Sequence, residues 1–288
     1  MGYFKDLYTL TKPGIIRGNA LHTLAGALFA STAGIMWNPV LGVLVGTCLV
    51  IASACVANNY MDRKMDARMD RTKSRASVTG SIPVHVGMAF MAILLILGFF
   101  VLAAYTNVWV VLIGAVAYIF YVFIYGWAKR NTVHSTLVGA IPGALPAMAG
   151  YVAVSGEVSL AAILIFLVIF TWQMPHFYAI SVFRKKEYAK AGVPVLAVVK
   201  PFNVVRRHIL MYMCLYLLTI VGLITFQVVG PPSGLLLLAG SAYWMSVFKR
   251  TPDTNESKWA RGIFGASLVL SLVFVIASIL NVFVPPAV

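Results

Sequence analysis

Val84-His85-Val86-Gly87-Met88-Ala89-Phe90-Met91-Ala92-Ile93-Leu94-Leu95-Ile96-Leu97-Gly98-Phe99-Phe100-Val101-Leu102-Ala103-Ala104-Tyr105 contains no Asp, Glu, Lys or Arg. A helix rises about 1.5 Å per residue, so a run of about 20 residues crosses the ~30 Å hydrocarbon core of a bilayer. In lipid every backbone polar group must be paired internally, which leaves helices or a closed barrel. The run is continuous rather than alternating, so it is a helix. Outward from it, similar runs extend over roughly Ile15–Met36, Pro39–Tyr60, Val108–Trp127, Thr136–Val154, Ser159–Ile180, Ile209–Val229, Ser233–Phe248 and Ile263–Val284. Hydrophobic residues make up 61% of the chain and charged residues 10%, where a soluble domain carries about a quarter charged. The expected fold class is all-α: one polytopic domain over residues 1–288 with about nine spanning helices.

The charges divide by side. All 22 Lys and Arg residues fall in the N-terminal segment through the first turn of the first helix, or in the loops 61–83, 128–135, 181–208 and 249–262. The opposite side carries Glu157 as its only charge. An excess of Lys and Arg marks the cytoplasmic face, so the N-terminus is expected in the cytoplasm and the C-terminus outside. The start of the chain has neither a cleavable signal nor a transit segment, which suits a bacterial cytoplasmic membrane. The net charge of +14 is thus topological, and no nucleic-acid partner is expected. Cys48, Cys55 and Cys214 lie inside apolar runs and form no C-x-x-C pair. Gly42-x-x-x-Gly46 and Gly139-x-x-x-Gly143 suit close helix packing. Pro142, Pro146 and Pro175 fall inside expected helices, where each removes a backbone donor.

Three of the eight acids, Asp62, Asp66 and Asp70, follow Asn58 and Asn59 at the basic end of the second helix. Spacing by four places Asn58, Asp62 and Asp66 on one helical face, where like charges repel and call for something positive. One reading is a solvated helix end whose acids pair with Arg63, Lys64 and Arg68. The other is a Mg²⁺ site, since Mg²⁺ takes one or two carboxylates together with substrate phosphate and water. Arg71, Lys73 and Arg75 follow directly and favour the second. A diphosphate needs metal to bridge its oxygens and fixed cations to hold the remaining charge. Apolar helices beneath such a site suit a ligand with a diphosphate head and a hydrocarbon tail.

Asn58, Asp62, Asp66, Arg71 and Thr72 resemble the N-x-x-x-D-x-x-x-D…R-T motif of the UbiA-type intramembrane prenyltransferase superfamily. Asn59 stands where many members carry a further Asp. Trp172-Gln173-Met174-Pro175-His176-Phe177-Tyr178, then Arg184-Lys185-Lys186-Glu187 and Gly192-Val193-Pro194-Val195-Leu196, replace the second Asp-rich motif of quinone-type members. That pattern, with Thr11-Lys12-Pro13-Gly14-Ile15-Ile16, is similar to the protohaem farnesyltransferase branch.

The resemblance implies farnesyl diphosphate as donor, haem B as acceptor and haem O as product. It also implies Mg²⁺ on Asn58, Asp62 and Asp66, and diphosphate on Arg71, Lys73 and Arg75. Haem A synthase or terminal-oxidase assembly would be the downstream partner. His176 is the candidate axial ligand of the haem iron, with His22, His85, His134 and His208 as alternatives. Arg184 and Lys185 are candidates for the haem propionates, or for anionic lipid. Tyr178 is the candidate for stabilising an allylic cation, because an aromatic face attracts positive charge. Most other tyrosines near the basic helix ends, Tyr118, Tyr121 and Tyr125 among them, read as ordinary interface residues. A quinone or aromatic acceptor would require a second carboxylate-rich motif. A transporter would place its polar groups near the bilayer midplane.

Overall fold

The computed structural model describes residues 2–250 and 255–287. The part of the expected 249–262 loop at residues 251–254 lies outside them. A short helix α1 (Gly2–Leu10) precedes nine long ones: α2 (Pro13–Ala30), α3 (Trp37–Met61), α4 (Val84–Tyr105), α5 (Val108–Asn131), α6 (Ser135–Ser155), α7 (Leu160–Phe183), α8 (Phe202–Thr225), α9 (Pro231–Lys249) and α10 (Glu256–Phe283). No strand occurs among the described residues. Seven of these helices, α3 to α8 and α10, are long and apolar enough to cross a membrane. In α2, Arg17, Asn19 and His22 dilute the hydropathy, yet the helix packs against α6 and α10 within the bundle. The chain is a multi-pass all-α membrane protein.

The helix ends follow local chemistry. Side-chain oxygens of Asn107, Ser159 and Asn255 accept from the backbone N–H groups of Val110, Ala162 and Lys258, capping α5, α7 and α10. Gly156, at φ +83°, ends α6 in the left-handed turn that glycine enters without strain. Pro142, Pro146 and Pro175 remain inside unbroken helices.

Three boundaries differ from expectation by six or seven residues, one of them the start of α10 at Glu256 rather than Ile263. The helix expected from Ile209 begins at Phe202, because Arg206 sits within its first turns with its guanidinium over the Phe248 and Trp259 rings at 5.2 and 5.8 Å. The helix expected to run to Met36 stops at Ala30, one turn before Gly34, whose φ is +110°.

Without a hydrophobic force between helices in lipid, close approach supplies the cohesion. The tightest crossing joins α2 to α6. A Cβ on Gly26 would overlap the Ala147 carbonyl oxygen, and one on Gly150 would overlap that of Thr23. The Gly42–Gly46 pair lies against Tyr105 and Leu102 of α4, as its spacing suggested. One apolar core lies among α7, α8, α9 and α10, and a second lies among α3, α4, α5 and α6.

Candidate active site

α3 ends at Met61, and Asp62 leaves helical geometry at φ −90°, ψ 0°. The i→i−4 bonds nevertheless continue: Asp62 N–H donates to the Asn58 carbonyl and Asp66 N–H to that of Asp62, at 2.9 and 2.8 Å. Asn58, Asp62 and Asp66 therefore keep the shared face their spacing predicted. All three are buried, at 2%, 1% and 2% exposure, so each carboxylate needs a partner to offset lost hydration.

The partners are not the neighbouring cations Arg63, Lys64 and Arg68, all of which are exposed. Lys129 Nζ lies 2.7 Å from Asp62 Oδ2, and Arg130 lies 3.4 Å from Oδ1. Arg75 holds Asp66 Oδ2 at 2.7 Å, and Lys12 Nζ donates to Asn58 Oδ1 at 2.6 Å. Burial pulls the Lys12 ammonium down to about 8. These contacts bring the start of α2 and the ends of α3 and α5 to one end of the bundle. Thr72 steadies the loop by donating to the Asp66 carbonyl at 2.8 Å.

Of the three cations expected to bind diphosphate, only Arg75 turns inward. Arg71 is exposed, and Lys73 pairs with Asp70 at 2.9 Å on the surface. A residue four beyond Asp66 would share its face only if the helix continued, and the chain instead turns after Ala67. Lys12, Lys129 and Arg130, the cations that do converge, were missed. Each is remote in sequence from the acids; Lys12 stood within the 11–16 stretch that carried the resemblance, without an assigned role, and Lys129 and Arg130 were a bare basic pair at the end of the fourth span.

α5 contains a π-helical turn over Phe120–Ile124. Such a turn inserts one residue and shifts the face that follows. Tyr121 and Tyr125 lie with ring centroids 5.6 Å apart, one turn before Lys129, and Tyr121 Oη is 4.0 Å from Cys55 Sγ. Both are partly buried between helices rather than exposed at the interface. The candidate Tyr178 sits elsewhere. It is 3% exposed and packs between α7 and α8 beside His208 and Tyr212, at 6.0 and 6.2 Å.

His176 lies two turns inside the end of α7, stacked on Trp172 at 4.9 Å. Its Nδ1 meets Ser267 Oγ of α10 at 2.7 Å, while that hydroxyl donates its one proton to the Phe264 carbonyl at 2.6 Å. Ser267 must therefore accept from Nδ1–H, which leaves the lone pair on Nε2. His22 approaches Ser271, one turn further along α10, at 2.9 Å. Arg184 pairs with Glu187 at 2.9 Å, and Lys185 is exposed. The loop carrying them reaches the acidic loop: Lys190 lies 3.4 Å from Asp70, and Met69 packs with Ala191, Val193 and Val195. The carboxylate site and the His176 site thus lie on different helices, joined through loops at one end.

Among the described residues no three His, Cys, Asp or Glu side chains gather as a metal cluster. A cation here would draw on two carboxylates and amide oxygen. Asn59, 1% exposed, donates to the Leu10 carbonyl at 2.7 Å and leaves Oδ1 without a donor.

Similarity to known proteins agrees with this architecture. A protoheme IX farnesyltransferase of Aliivibrio salmonicida (strain LFI1238) is 41% identical over 275 residues, 94% of either chain. One of Citrobacter koseri is 38% identical over 268 residues, covering 92% of this chain and 90% of its own. Among solved structures, a digeranylgeranylglyceryl phosphate synthase superposes with a TM-score of 0.79 at 18% identity, covering 97% of this chain and 99% of its own. A UbiA homolog from Archaeoglobus fulgidus bound to GPP and Mg²⁺ does so at 0.74 and 17%, covering 97% and 100%. Residues 19–282 match the model of the UbiA prenyltransferase family, and the chain belongs to that family.

Proposed function

We propose that this chain transfers the farnesyl group of farnesyl diphosphate to a vinyl group of protohaem IX with addition of water, forming haem O and releasing diphosphate. The observation that carries the reading is the buried Asp62–Asp66 face with Lys12, Arg75, Lys129 and Arg130 converged on it. Identity of 38–41% to farnesyltransferases over nearly the whole chain supports the choice of acceptor.

Asn58, Asp62 and Asp66 would hold Mg²⁺. The set fits: its donors are hard oxygens, two carboxylates leave coordination positions for phosphate and water, and the buried Oδ1 of Asn59, next in sequence to Asn58, accepts no hydrogen bond among the described residues. The bound ion supplies positive charge to the departing diphosphate. Lys129, Arg130 and Arg75, released from the carboxylates, share that charge. The allylic C–O bond breaks with its electron pair on the diphosphate oxygen. The vinyl terminus then bonds to the farnesyl carbon, and water adds to the resulting cation and loses a proton. Tyr121 and Tyr125 offer ring faces beside the acids for the allylic cation, a better-placed pair than Tyr178. Nε2 of His176 offers the iron an imidazole ligand held by Ser267, the outer partner that ligating histidines commonly have.

The distribution of Lys and Arg supports a cytoplasmic N-terminus and active-site end, an outside C-terminus and residence in a bacterial cytoplasmic membrane. The chain acts as a single domain. Membranes containing it, given farnesyl diphosphate, haem and Mg²⁺, are expected to yield a farnesylated, hydrated porphyrin by mass. Haem recovered unchanged alongside turnover of a quinone precursor would overturn the acceptor.

A further inference from the structure

Asp62 and Asp66 occupy one side of the turn after α3. Arg63, Lys64 and Ala67 occupy the other, where they line a cavity of about 370 Å³ that contains none of the proposed catalytic residues. Tyr60, the Ser77–Val78 turn and the start of α4 at Ile82–Val84 complete its walls. Arg63 and Lys64 are exposed and form no ion pair among the described residues. Ser77 is 6% exposed, and its hydroxyl has no hydrogen-bond partner among the described residues.

The backbone adds donors. The first helical bond of α4 is from Gly87 N–H to the Pro83 carbonyl at 3.0 Å, so the preceding amides of its first turn are free. An α-helix N-terminus with free N–H groups favours an anion. Val84, which lines the cavity, is 49% exposed, and α4 continues from there as an apolar helix that is mostly uncovered by protein. The cavity therefore opens where phosphate is available and hydrocarbon lies alongside.

We propose that this cavity binds the phosphate of an anionic phospholipid, with the acyl chains along α4. Its cations, hydroxyl and helix N-terminus match a phosphate, and its apolar rim selects the lipid-borne form over soluble phosphate. The bound headgroup ties α3 and α4 to the 63–80 loop, which carries Asp66 and Arg75, so lipid composition would govern the order of that loop.

Native mass spectrometry of the full chain in detergent tests this with phosphatidylglycerol, phosphatidylcholine and inorganic phosphate as probes. In the Arg63→Ala/Lys64→Ala double variant, affinity for phosphatidylglycerol is expected to fall about thirtyfold, from roughly one surface-charge contact per cation. Ser77→Val should also weaken it, whereas Lys249→Ala/Lys258→Ala should not. Both cavity cations are exposed and unpaired, so an unchanged unfolding midpoint should accompany the loss. Equal binding in the cavity and control variants would reduce the effect to general surface charge and overturn the proposal. Displacement of the lipid by inorganic phosphate would overturn the lipid assignment.

Discussion

Whether Asp62 is a catalytic group or one half of a structural ion pair can be decided by removing both halves. Lys129→Met leaves the Asp62 carboxylate, 1% exposed, with Arg130 at 3.4 Å as its remaining partner. Breaking a fully buried pair costs about 3–5 kcal/mol. Lys129 keeps 19% side-chain exposure, and Arg130 retains part of the interaction, so about 2 kcal/mol is expected. At about 2.1 cal/mol/K of unfolding entropy per residue, that lowers the midpoint of a 288-residue chain by about 3 °C. Asp62→Asn strands the ammonium instead, but Lys129 can turn toward water, and about 1 kcal/mol is expected. The double variant carries no stranded charge and should regain most of the midpoint. Activity should behave differently. Asp62→Asn should lower farnesyl transfer by about 10²–10³, the scale of losing one aligned electrostatic contact in a transition state. The double variant should stay at least as slow, since it also lacks the Lys129 ammonium that shares the departing charge. Thermal unfolding in detergent and product yield by mass read the two quantities separately. Recovery of turnover together with stability in the double variant would refute the catalytic role of Asp62.

Other outcomes follow from the same geometry. His176→Ala should change the absorption of added haem, and Ser267→Ala should weaken haem binding about tenfold by releasing the ring; identical spectra in both would remove this pair from the acceptor site. Gly26→Val should destabilise the bundle by about 3 kcal/mol or more, because the added atoms meet the Ala147 carbonyl rather than a flexible side chain; an unchanged midpoint would show that α2 and α6 can separate freely. The Lys73 hydrogen bond, followed by the charge of Lys190, holds the Asp70 carboxyl below its ordinary 3.8. A folded-state value depressed in this way adds stability above the unfolded value and loses it as pH falls through the folded one. Amide exchange in the 63–80 and 185–199 loops should therefore be slower in the parent than in Asp70→Asn at neutral pH, and the two should converge in acid below 3.8. A gap that persists there would mean the clasp is not ionic.

The spans were legible because bilayer thickness converts directly into a length of uncharged chain. Val84–Tyr105 was bounded to the residue. Boundaries failed where a charge sits inside a helix on aromatic rings, as at Arg206. The π turn of α5 was invisible, since Phe120–Ile124 has the same apolar composition as its surroundings.

By itself the sequence determined that this chain is a helical membrane protein, that its basic residues fall outside the long apolar runs, and that Asn58, Asp62 and Asp66 align by their spacing. Spacing encodes what lies on one helix, because the helical period is a local property. Only the tertiary structure decided which cations meet those acids. Lys12, Arg75 and Lys129 approach from a different helix or loop, while the nearer Arg63 and Lys64 turn away to line a cavity on the other side of the turn. Burial demands a partner for a charge, but which partner arrives is set by how helices remote in sequence pack.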